Sequence, residues 1–145
     1  MKRRISILLA LAALGAAGVI AASSPAAASS SAPVRLTFDK SAVAQGVWQG
    51  TVEGDVSGSL TTELEGLRIS GPIWHVTFDW IISAGASSFT ARLYGILNTN
   101  TGAVVMNGTV VDGYLLGAQV HEEGQLVDLT TLQFVGSIRL MPATA

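Results

Sequence analysis

The chain has 145 residues, no cysteine and a formal net charge of −2. The lack of cysteine excludes disulfide staples, thiolate metal sites and a lipoprotein anchor. Beyond the basic N-terminus, five basic residues (Arg35, Lys40, Arg68, Arg92 and Arg139) stand against ten acidic ones, a balance of −5 that disfavours nucleic acid and anionic membranes, since both require a basic face.

Lys2, Arg3 and Arg4 precede an uncharged apolar run over residues 5–22. Small residues follow, and Ala26 and Ala28 fit an A-x-A cleavage site. This order predicts a signal peptide over residues 1–28 and a secreted or extracytoplasmic protein. The rival is an uncleaved anchor, for which the run falls just short of the ~20 residues a bilayer needs. Removing 28 of 145 residues leaves 117: a flexible leader over 29–33 and a single domain over 34–145. No later run is apolar enough to span a membrane as a helix, so no membrane association is expected after cleavage.

Residues 34–38 predict a first short strand and 39–45 a connection with at most one helical turn. Over 47–56, Trp48, Gly50, Val52, Gly54 and Val56 alternate with Gln49, Thr51, Glu53 and Asp55. A turn at Ser57 and Gly58 leads into a hairpin partner over 58–64, and 65–72 reads as a loop ended by Gly71 and Pro72. Residues 73–82 form the central strand. There Trp74, Val76, Phe78, Trp80 and Ile82 alternate with His75, Thr77 and Asp79, the period-two pattern of a half-buried strand with one aromatic face.

After a turn at 83–87, Phe89, Ala91, Leu93, Gly95 and Leu97 make the next apolar face. Residues 98–102 are a hairpin signal, and Val104, Met106, Gly108 and Val110 follow. Asp112 and Gly113 mark a turn, 114–121 a strand, 122–128 an acidic loop and 132–140 the last strand, with Leu132, Phe134, Gly136, Ile138 and Leu140 inward. Eight strands joined by short turns predict an all-β fold, an eight-stranded antiparallel meander barrel, in which closure removes the sheet edges.

The registers support one another. If Ile82 faces Phe89, then Trp80 faces Ala91, Phe78 faces Leu93, and Asp79 meets Arg92 outside as an opposite-charge cross-strand pair. If Leu97 faces Val104, Gly95 meets Met106 and Leu93 meets Gly108, the large-against-small pairing that suits a closed barrel. One register stays open. A two-residue turn at Asp112 and Gly113 sends Leu115, Gly117, Gln119 and His121 inward; a bulge sends Tyr114, Leu116, Ala118 and Val120 inward, which is the more apolar choice.

His75 and Asp79 have acid–base spacing, but four residues along a strand span ~13 Å, so they read as two solvated outer residues. Two histidines without cysteine make a poor zinc set, and Glu53, Asp55, Glu63 and Glu65 lack a calcium-loop pattern, so no metal and no cofactor are expected. No phosphate loop and no nucleophile elbow occurs. Asn107, Gly108 and Thr109 match a glycosylation sequon inside a strand. The main feature is the aromatic set: Trp48, Trp74, Phe78, Trp80, Phe89, Met106 and Phe134 converge on the interior, with Gln119 or His121 as polar contacts in the tight-turn register. They either fill the bore or wall a pocket at one mouth.

The chain from Trp74 to Leu140 resembles secreted bacterial proteins of the allene-oxide-cyclase-like barrel group, related to plant dirigent proteins. The residues concerned are the strand over 89–97, the turn over 98–102, Asn107, Gly108 and Thr109, and the closing Gly136, Ser137, Ile138 and Arg139. The resemblance implies an eight-stranded barrel with an apolar interior, oligomers in some members, and either cyclisation of an unsaturated substrate or steering of a coupling reaction. The inward positions named above carry almost no charge, which weighs against an acid–base cyclase. Three functions stand: a barrel binding a small apolar or aromatic molecule, a cofactor-independent cyclase or isomerase, and a cell-surface interaction protein with a plugged bore. For the last, Ile96, Val105 and Val111 on the outer face offer a homo-oligomer contact.

Overall fold

In the computed structural model, which describes residues 32–143, eight strands follow one another around a closed antiparallel barrel, and the last returns to pair with the first. They are β1 Val34–Ala44, β2 Val47–Gly54, β3 Gly58–Ser70, β4 Ile73–Ser83, β5 Phe89–Asn98, β6 Ala103–Gly113, β7 Gln119–Asp128 and β8 Gln133–Met141. A single 3-10 turn, Gly85–Ser87, lies between β4 and β5. The predicted signal peptide and leader residues 29–31 lie outside the described residues. Among the described residues no helix is long and apolar enough to cross a membrane.

Alternation fixes the sheet around β4. Ile82 pairs with Phe89, Trp80 with Ala91 and Phe78 with Leu93; Leu97 pairs with Val104, Gly95 with Met106 and Leu93 with Gly108, each as expected. On the outer wall Arg92 donates two hydrogen bonds to the Asp79 carboxylate, at 2.7 and 2.9 Å. That bidentate contact holds the Asp79 carboxyl below its ordinary range.

Four expectations give way. Residues 39–45 are not a connection: β1 runs on to Ala44, because its inward alternation of Leu36 and Phe38 continues with Lys40. The expected loop over 65–72 is strand up to Ser70, and a bulge between Leu64 and Gly66 shifts the phase so that the alternation looks broken. The acidic loop over 122–128 is the body of β7, paired on both sides. The strand expected over 114–121 starts only at Gln119; residues 114–118 form a turn with Leu115 in the left-handed region at φ 58°. Val120 and Ala118 point inward and Gln119 and His121 outward, so the tight-turn register fails.

The two ends of the barrel differ. At the end of the 55–57, 84–88 and 114–118 turns, Leu36, Val56, Ile82, Phe89, Val110, Ala118 and Leu140 are buried and pack the bore solid. Wide side chains and inward glycines interlock there as in the interior of any close-packed protein. The other end carries the β1–β2, β3–β4, β5–β6 and β7–β8 turns and is left partly unfilled.

Candidate functional site

At this second end the inward side chains leave a cavity of about 270 Å³, to which each of the eight strands contributes. Its walls are carbon. Trp48 stands edge-on to Phe78 and to Phe134, with ring centroids 5.5 and 6.3 Å apart, and Trp74, Leu97 and Met106 complete the facing side. Leu67, Leu129 and Leu132 form an apolar rim, with Leu129 77% exposed.

Trp48 is held in place from the rim. Its indole N–H donates to the Leu132 carbonyl oxygen at 3.0 Å. Leu132 has φ 53°, a left-handed conformation that a branched side chain adopts at a cost of roughly 1–2 kcal/mol. A strained residue at the mouth of a pocket is a common companion of function.

The floor is charged. Lys40, 5% exposed, enters from β1, and Glu122, 1% exposed, enters from β7. The Lys40 ammonium donates to Thr62 Oγ1 at 3.2 Å. Otherwise it is surrounded by rings: Trp80 at 4.3 Å from the ring centre, Phe78 at 5.0, Phe38 at 5.7, Trp48 at 5.8 and Phe134 at 6.0 Å. Aromatic faces attract a cation and so offset part of its lost hydration. Glu122 lies over Gly124, where a Cβ would stand 2.7 Å from Glu122 Oε2, so the glycine makes room for the carboxylate. Among the described residues Glu122 Oε1 has no hydrogen-bond partner.

Among the described residues, Lys40 and Glu122 do not close an ion pair, although both line the same cavity. Each is therefore shifted chiefly by burial. Desolvation lowers Lys40 to about 8, against the opposing pull of Glu122's charge. Desolvation raises Glu122 to about 7, with Lys40 opposing and Glu123 assisting. Two groups that titrate close to neutrality thus face an apolar space with hydrogen-bonding capacity to spare.

No family model, curated protein or solved structure matches the chain. The functional reading therefore rests on the site.

Of the residues expected there, Trp48, Trp74, Phe78, Met106 and Phe134 line the cavity. Trp80 lies fully buried behind Lys40, edge-on to Phe38. Phe89 belongs to the plugged end. Gln119 is exposed, and His121 points outward, hydrogen-bonded to Asn107 Oδ1 at 2.7 Å and Glu123 Oε2 at 2.8 Å, so neither reaches the interior. His75, on the outer wall, shares a shallow depression with Arg68, Thr77 and Tyr94, none of them buried. The two charged floor residues escaped sequence reasoning. The signal for them was present: Leu36, Phe38, Lys40 and Val120, Glu122, Gly124 keep step two. Charged side chains are so seldom buried that an apolar pattern reads as ended where they begin.

Proposed function

We propose that the barrel binds a small, mostly apolar molecule in the cavity at its open end, with the ligand's polar group against Lys40 and Glu122. The observation that carries this reading is a pair of buried ionisable side chains at the bottom of an otherwise carbon-lined, unfilled space. Burying two charges costs a fold several kcal/mol each, a cost that a plugged structural barrel has no reason to bear. The volume lies just under the roughly 300–1,000 Å³ of pockets for drug-sized molecules, which fits a small ligand. The N-terminal segment supports action outside the cytoplasm, after export.

Tryptophan fluorescence tests the binding. Trp48 and Trp74 line the cavity, so a panel of small aromatic and aliphatic compounds should give at least one saturable change. Val104→Phe, which fills the same space from β6, should abolish it. A panel without any response, or an unchanged response in Val104→Phe, would overturn the reading.

A second reading has one observation in its favour. A carboxyl raised to about 7 beside an apolar cavity has the pKa wanted of a general acid or base near neutrality. It supports a cofactor-independent cyclase or isomerase, in keeping with the allene-oxide-cyclase-like and dirigent-like resemblance. The charge comes from Glu122 and Lys40, not from Gln119 or His121. Exposed Ile96, Val105 and Val111 support a homo-oligomer contact on the outer wall.

A further inference from the structure

The geometry points to Lys40 as a carbonyl-reactive amine: the cavity takes a small apolar aldehyde or ketone and holds it as an imine on Nζ. This rests on the cavity being a ligand site, and it assigns the ligand class.

Lys40 is the chain's only lysine apart from Lys2. The four other basic residues of the barrel, Arg35, Arg68, Arg92 and Arg139, are all arginines with exposed side chains. Among the described residues, then, arginine stands where a permanent cation is solvated, and lysine at the one buried basic position. A guanidinium cannot lose its proton in a protein, whereas a buried ammonium can, and only the free amine is a nucleophile. Burial that lowers Lys40 to about 8 supplies that amine near neutral pH.

The surroundings suit each stage. Among the described residues Lys40 has a single conventional partner, Thr62, and it borders open space. Its nitrogen adds to the carbonyl carbon; the C=O π pair moves to oxygen, which gains the proton the nitrogen gives up. The resulting carbinolamine loses its hydroxyl as water with a proton from the Glu122 carboxyl, and the nitrogen lone pair forms the C=N bond. One amine, one carbonyl compound and one carboxylic acid yield an iminium, a carboxylate and water. No oxidant or reductant enters, and addition of water reverses the sequence. The five rings around Nζ attract an iminium as they attract an ammonium, so the cage that holds the resting lysine also holds the adduct. Glu122, with Oε1 unpartnered in the same cavity, is the acid for dehydration and then the counter-charge.

The probe is cinnamaldehyde with sodium cyanoborohydride, read by intact mass and peptide mapping, beside cinnamyl alcohol read by tryptophan fluorescence. The expected result is one reduced adduct per chain at Lys40, saturable in aldehyde, suppressed by excess alcohol and absent in Lys40→Arg. At saturating aldehyde, Glu122→Gln should trap the adduct roughly 10²-fold more slowly. Lys40→Met, checked by circular dichroism for folding, guards against a misfolded arginine variant. Alcohol binding without a Lys40 adduct overturns the imine and leaves the pocket standing. An adduct confined to the terminal amine, or one formed no faster than on a free lysine peptide, also overturns it. If neither compound perturbs the tryptophans, the pocket itself fails and the imine with it.

Discussion

The Trp48 indole is tied to the backbone of Leu132, a residue on the far side of the β1 strand and held in a left-handed turn. One hydrogen bond thus joins the cavity wall to the rim. Trp48→Phe keeps an aromatic side chain in the wall and removes the donor. It should cost about 1 kcal/mol in urea unfolding, the usual worth of such a bond. Hydrogen exchange should quicken at residues 129–132 and stay unchanged at the plugged end. An unaltered exchange pattern would mean the turn is held by something other than Trp48.

Lys40 and Glu122 carry a desolvation cost that apolar residues in their places would not. Replacing both by apolar residues of similar size, as Lys40→Met with Glu122→Leu, should stabilise the barrel by roughly 1–4 kcal/mol, as for other buried pairs. The same variant should lose the polar half of ligand recognition. A double variant less stable than the parent would show that the pair supports the barrel.

The stability should pass through a trough between about pH 7 and 8. Glu122 has a folded pKa raised from 4.5 to about 7, so the folded state binds the extra proton in that window and stability falls as pH rises through it. Lys40 has a folded pKa lowered from 10.5 to about 8, so the unfolded state binds more protons there and stability rises with pH above 8. Urea midpoints across this range check it. Glu122→Gln should remove the acidic limb of the trough and Lys40→Met the alkaline limb.

Two inward glycines predict unlike outcomes. At Gly124 a Cβ would meet Glu122 Oε2 at 2.7 Å and Phe38 Cζ at 3.1 Å, both side-chain atoms that can move. Gly124→Ala should fold with a loss of roughly 1–3 kcal/mol and a displaced carboxylate, seen as a shift of the acidic limb of that trough. At Gly50 a Cβ would lie 1.8 Å from the Asp39 carbonyl oxygen, which is backbone. Gly50→Ala should yield little folded protein, and a well-folded variant would contradict the strand spacing there.

The β4–β5 register, and that of β5–β6 as far as Val110, were legible because long alternation admits one phase, and a slip of a single residue would turn Trp80 and Phe78 out to water. Asp79 opposite Arg92 followed from the same phase. The continuation of β3 was not legible, since the bulge at Leu64 and Gly66 shifts the phase midway and mimics a loop. The aromatic walls of the site could be read, and its floor could not. Lys40 and Glu122 sit inward through the step-two rule alone, against their own solvation preference, and nothing local in the sequence announces that the rule prevails.

Phe89, Ala118 and Leu140 stop the bore beneath the lysine. On the binding reading proposed above, a guest would go in head first and back out again by the same door. Of a molecule with two unlike tips, the barrel inspects one. A body longer than the hollow would keep its other tip outside, among the leucines of the lip.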